Sequence, residues 1–208
     1  MIFSESCKKS IPYYPVSDDM KQFFVFQKGS YWIYKNDSTN LVDSTYINSI
    51  YSVNDDDGYP GIRREIINLY LNSKFLSDFE VGYFCPGPNC LTIATRLDPH
   101  FPPDEIETNG PFAYFSGWQP NKDIVSKECV SGWLFRYSTF PSVTIANNTY
   151  QNIIYSRIIT TDSTSTNKYF YSREIYFAKN IGIIKFFEKS KYFNIQRSFS
   201  LSRYKIIQ

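Results

Sequence analysis

Beyond residue 22 the sequence breaks into short segments rich in Tyr, Phe, Ile and Thr, each stopped by Pro, Gly, Asn or a Ser-Thr cluster. Segments such as NIIYSRIITT, KYFYSREIYF, IGIIKFFEK and NIQRSFSLSRYKII recur at a spacing of roughly 8 to 15 residues, which leaves no room for crossover helices between parallel strands. Aromatic and β-branched side chains suit a pleated, half-buried surface, whereas the strong helix formers Ala, Leu and Met are scarce. The pattern predicts a mostly β chain: a single antiparallel sheet domain, curved as a half-barrel or folded as a sandwich, with at most one or two short helices.

Local signals assign the strands. Tyr31, Ile33 and Lys35 alternate with Trp32, Tyr34 and Asn36, so SYWIYKND reads as a strand with both faces partly covered. Ser38-Thr39-Asn40 supplies a turn, and Asp43 to Val53 is its hairpin partner, closed by the acidic turn Asn54 to Gly58. Ile62 to Ser73 is ambiguous. Ile62, Ile66 and Leu69 would line a helix, while Ile67, Leu69 and Leu71 alternate, and the strand is preferred. FEVGYFC and CLTIATRL flank Pro86-Gly87-Pro88-Asn89 as a second hairpin, and Asp98 to Gly110, with three prolines, is an irregular surface loop. PFAYFSGW and GWLFRYSTF add further strands. No fixed-period repeat occurs, and the division expected is residues 1–20 as signal remnant and flexible tether, followed by one domain over 21–208.

Charge excludes some functions. Lys plus Arg number 22 and Asp plus Glu 20, a net +2 with no long block of either sign, so no nucleic-acid partner is expected. No window approaches the roughly 18–20 apolar residues of a membrane-spanning helix. Charges within SREIYFAK and IQRSFSLSRYK disfavour the lipid-facing alternation of an outer-membrane barrel.

The chain opens MIFSESCKKSIPYYPVSDDM, an apolar pair ahead of Cys-Lys-Lys and a polar, Pro-containing stretch. This start resembles the small lipoproteins of the Bacteroidota, as do GSYWIYKNDSTNLVDSTYI (Gly29 to Ile47) and IYFAKNIGIIK (Ile175 to Lys185). The resemblance implies that Cys7 is the lipidated residue. It also implies a secreted protein, in the periplasm or at the cell surface, that touches the membrane only through an N-terminal lipid anchor in the outer membrane. An ordinary, unlipidated Cys7 is the alternative.

Catalytic signals are lacking. His100 is the single histidine, sits in the Pro-rich loop and has no Ser-containing elbow near it. Cys85, Cys90, His100 and Cys129 have no common zinc spacing, and the Asp55-Asp56-Asp57-Gly58 run fails the calcium-loop register, which would put Val53 and Arg64 at ligand positions. No metal and no cofactor are expected. Cys85 and Cys90 end two facing strands, so an oxidising compartment allows a disulfide across the hairpin mouth, with Cys129 buried alone; a Cys90 to Cys129 pair is the alternative. Glu105, Glu107 and Glu174 are the carboxylates an unrecognised hydrolase would draw on, though nothing in their spacing singles them out.

Trp32, Tyr34, Tyr114, Phe115, Trp118 and Trp133 are the candidate ligand-binding residues, since flat aromatic faces stack on sugars and line apolar pockets; core packing is their competing use. The expected function is therefore a non-enzymatic cell-envelope domain that binds an apolar ligand or a protein partner on its sheet. A surface glycan-binding or adhesin module is the alternative. The apolar-ligand reading requires a sizeable apolar cavity, and the glycan reading requires a filled core with an exposed aromatic strip.

Overall fold

The structure is a computed structural model and describes residues 11–55, 63–73, 79–83, 90–95, 111–116, 128–130, 133–160, 171–191 and 194–207. Its elements are β1 (Tyr13–Tyr14), α1 (Asp18–Phe24), β2 (Tyr31–Asn36), β3 (Val42–Asp55), β4 (Arg63–Asn72), β5 (Phe79–Tyr83) and β6 (Cys90–Thr95). They continue with β7 (Pro111–Ser116), β8 (Glu128–Val130), β9 (Trp133–Ile145), β10 (Asn148–Thr160), β11 (Tyr171–Ala178), β12 (Gly182–Ser190) and β13 (Ile195–Lys205). The mostly β expectation holds: one open sheet and one short helix.

The strand order is β7-β6-β5-β4-β3-β2-β13-β12-β11-β10-β9-β8, and β1 runs parallel to the start of β4. Two meanders, β2 to β7 and β8 to β13, are thus joined where the last strand pairs with β2. Every ladder along that path is antiparallel. The topology itself forces curvature. Laid flat, twelve strands would place β7 and β8 about 50 Å apart, yet they are consecutive in sequence, and residues 117–127 can span only about 40 Å when fully extended. The sheet accordingly curls until β7 approaches β9 and β10, with no ladder closing the gap among the described residues.

The β2–β3 hairpin has the expected register, with Trp32 opposite Thr45 and Tyr34 opposite Asp43. Residues 63–72 form a strand, because both faces of β4 find cover: Ile67 and Leu69 are buried on one and Asn68 on the other. β5 and β6 pair as the second hairpin, Tyr83 opposite Leu91.

Residues 11–20 differ from the expected tether. β1 pairs with β4, Val16 is 1% exposed and Met20 0% exposed, so the folded domain already includes this stretch. Ser17 caps α1 by accepting a hydrogen bond from the Met20 amide at 3.3 Å, and Asp18 and Asp19 complement the positive end of the helix. The helix then lays Met20, Phe23 and Phe24 on the concave face, with the Phe24 ring edge-on to Phe177 at 4.8 Å. Glu65 on β4 secures the whole arrangement. One carboxylate oxygen accepts from the Val16 amide at 2.9 Å and pairs with Lys21 Nζ at 3.0 Å, while the other accepts from Ser52 Oγ at 3.1 Å.

The C-terminal end is held as well: Ser30 Oγ accepts from the Ile207 amide at 2.9 Å and donates to its carbonyl at 3.3 Å. Farther along the concave face lies a buried charge triad. Glu188, 0% exposed, takes Arg173 Nη2 at 3.0 Å on one oxygen and Arg197 Nε at 2.6 Å on the other. Ion pairing is what allows these charges so far inside.

Candidate functional site

Of the aromatic residues singled out in the sequence, Trp32 and Tyr34 lie side by side in the core. They are 5% and 1% exposed; the Trp32 indole N–H donates to the Ile181 carbonyl, and the Tyr34 hydroxyl donates to the Ile183 carbonyl at 2.9 Å. Burial pushes the Tyr34 hydroxyl well above its ordinary range, and Asp43 and Tyr150 add to the shift. Their polar tips are thus committed to backbone, and neither ring is offered to solvent. With Phe23, Phe24, Phe26 and Phe177 they line a pocket of about 30 Å³. That is the space of one water molecule, an order of magnitude below the roughly 300 Å³ at which small-ligand pockets begin.

The other predicted site residues are dispersed. Tyr114 and Phe115 belong to edge strand β7, and Trp133 opens β9. Cys90 begins β6, opposite Ser116, and Cys129 lies in β8 opposite Leu134. Cys7, Cys85, His100, Glu105, Glu107 and Trp118 fall outside the described residues. Glu174 is on β11, engaged by Arg157 Nε at 3.3 Å and in reach of the Tyr155 hydroxyl. Among the described residues, no three His, Cys, Asp or Glu side chains gather as metal ligands, and no helix is long and apolar enough to cross a membrane.

The convex face carries aromatic side chains that the sequence reading did not select. Tyr155 stands opposite Tyr176 across β10 and β11, rings 4.8 Å apart, and Phe140 follows at 6.4 Å from Tyr155. Phe140 is exposed and the two tyrosines half-buried. Burial and Glu174 push the Tyr155 hydroxyl well up, so this row stays neutral and serves largely as cross-strand packing.

A concave polar site lies at one end of the sheet. Three pieces remote in sequence build it: the start of β10 (148–152), the β11–β12 turn (179–181) and the end of β13 (202–204). Ala146 and Asn147, at φ 48° and 68°, make the two-residue turn that folds β9 back into β10, consistent with a type I′ hairpin. Asn152 (φ 53°) and Asn180 (φ 62°) take the left-handed conformation that asparagine tolerates better than most residues. The Lys179 amide donates to the Asn152 carbonyl at 3.2 Å, and the Asn180 amide donates to the Gln22 carbonyl at 2.7 Å. Helix α1, the turn and β10 are thereby fixed to one another. Lys179 Nζ is bound to Asp19 at 2.7 Å.

The resulting groove has a volume of about 640 Å³ and opens to solvent. Asn148, Thr149, Gln151, Asn152, Asn180 and Ser202 line it together with Tyr150 and Tyr204. Tyr150 is buried and its hydroxyl is raised by desolvation and by Tyr204, with a hydrogen bond from Asn148 opposing the shift. Tyr204 is 43% exposed. The groove thus offers donors, acceptors and aromatic faces, and no carboxylate among its described lining residues.

No protein-family model matches the chain, and no curated protein is similar enough in sequence to count as a relative. Two solved structures show a distant likeness. An exported-protein candidate with a YmcC-like fold from Bacteroides fragilis has 13% identity and a TM-score of 0.35, covering 88% of this chain and 98% of that one. A lipoprotein candidate from Parabacteroides distasonis has 13% identity and a TM-score of 0.37, covering 88% of this chain and 99% of that one. TM-scores this low transfer nothing from either protein to this chain.

Proposed function

We propose that this chain is a non-enzymatic binding domain of the cell envelope, anchored through Cys7, whose end groove takes a hydroxyl-rich ligand of the saccharide type. The contrast between two spaces carries the reading: the apolar pocket beside Trp32 and Tyr34 leaves about 30 Å³, while the polar groove lined by Tyr150 and Tyr204 offers about 640 Å³. An acyl chain does not fit the space beside Trp32 and Tyr34. A pyranose, in contrast, presents an apolar ring face to tyrosine and hydroxyls to side-chain amides, which is the complement of this lining. Such a site binds its ligand without needing a nucleophile or general acid.

The test is calorimetric titration of residues 11–208 with cellohexaose, chitohexaose and oligogalacturonate hexamer, repeated on Tyr204→Ala. Binding that weakens at least tenfold in the variant supports the groove. No heat from any of the three, or equal binding by Tyr204→Ala, overturns it.

A further inference from the structure

The charge of the groove goes further than its shape. Its described lining includes two cations, Lys179 and Arg203, and no Asp or Glu. The two cations differ in what they already hold. Lys179 is spent on Asp19 at 2.7 Å, which also ties the β11–β12 turn to α1. Arg203 sits near the end of β13, opposite Ile33 in the β2 ladder and exposed, with no ion pair among the described residues. Arg203 lines the groove together with its chain neighbours Ser202 and Tyr204.

We propose that the groove selects a saccharide bearing an oxyanion, with Arg203 as the residue that receives it. The inference rests on the groove reading above and names its ligand class. A guanidinium presents parallel N–H donors that match the two oxygens of a carboxylate or two of a sulfate, and this fork is pre-organised. A neutral sugar would leave that donor set to water. An oxyanion would use it, while the ring keeps the polar lining and Tyr204.

The experiment compares three probes on the same chain in low salt: oligogalacturonate hexamer for carboxylate, a sulfated galactan hexamer for sulfate, and cellohexaose as the neutral reference. At least one acidic probe is expected to bind about tenfold more tightly than cellohexaose, the size of a charge-assisted hydrogen bond; which one does so identifies the anion. Arg203→Gln is expected to abolish the preference, so that acidic and neutral probes bind alike, and Lys179→Gln to keep the preference. Equal affinity for neutral and acidic probes, or a preference that survives Arg203→Gln, overturns the selection by Arg203 and leaves the groove standing. Failure of all three probes overturns both.

Discussion

Replacing Glu65 with Ala would test whether residues 11–20 are part of the domain. Glu65 is the point at which the N-terminal segment, α1 and β4 meet, and the substitution removes three partners together. The Val16 amide is buried, so leaving it without an acceptor costs about 1–3 kcal/mol. Lys21 is 31% exposed, which limits its ion pair to about 0.5–1 kcal/mol, and the Ser52 hydroxyl adds a similar amount. The sum is about 2–5 kcal/mol, or a melting temperature lower by roughly 4–20 °C for a domain of this size. Glu65→Gln keeps an oxygen for the Val16 amide and should lose only about 1 kcal/mol. Urea unfolding measures the total, and amide exchange at Val16 and Met20 locates it. If Glu65→Ala stays within about 0.5 kcal/mol of the parent and Val16 remains protected, the carboxylate does not hold the segment, and the reasoning fails.

Other perturbations follow from particular contacts. Gly182 has φ +92°, and an added Cβ would stand 3.0 Å from the Phe26 ring and 3.4 Å from Trp32 Nε1, so Gly182→Ala should destabilise by about 2–4 kcal/mol in urea melts. Glu188→Gln leaves buried Arg173 and half-buried Arg197 without their carboxylate and should cost about 3–5 kcal/mol; a smaller loss than 1 kcal/mol would show the triad to be hydrated. Tyr34, Tyr150, Tyr155 and Tyr176 all have hydroxyls raised above the ordinary value of 10.0. The unfolded chain therefore loses these protons first as pH rises, so their contribution is intact below pH about 10 and declines above it. Urea midpoints measured from neutral to strongly alkaline pH should fall there, with tyrosinate absorbance lagging behind that of the unfolded chain.

The strands were legible because each one satisfies a local rule. Trp32, Tyr34 and Asn36 alternate with Tyr31, Ile33 and Lys35, and the buried and less buried sets divide along that alternation. Residues 63–72 were ambiguous in the sequence because β4 is covered on both faces, which erases the period that would separate strand from helix. α1 escaped notice for another reason. At seven residues it spans barely two turns, and its cap signal, Ser17 followed by Asp18 and Asp19, sits in a polar, Pro-containing stretch that reads equally well as a linker.

The groove was not legible, since Tyr150, Asn180 and Arg203 come together only when β13 pairs with β2 and the β9–β10 hairpin folds back. Only the asparagines at 147, 152 and 180 hinted at it, as residues suited to left-handed turns. Aromatic side chains attracted attention as binding residues, but type alone cannot separate Trp32, which packs beside Phe26 with rings 5.3 Å apart, from Tyr204, which stands half in solvent.

The most direct measurement is amide chemical-shift mapping of ¹⁵N-labelled residues 11–208 during titration with oligogalacturonate hexamer. The structure leads to saturable shifts confined to 148–152, 179–181 and 202–204, with Trp32 and Tyr34 unmoved. Shifts centred on Trp32, Tyr34 and Phe177, or on Phe140, Tyr155 and Tyr176 of the convex face, would contradict the groove as the binding site.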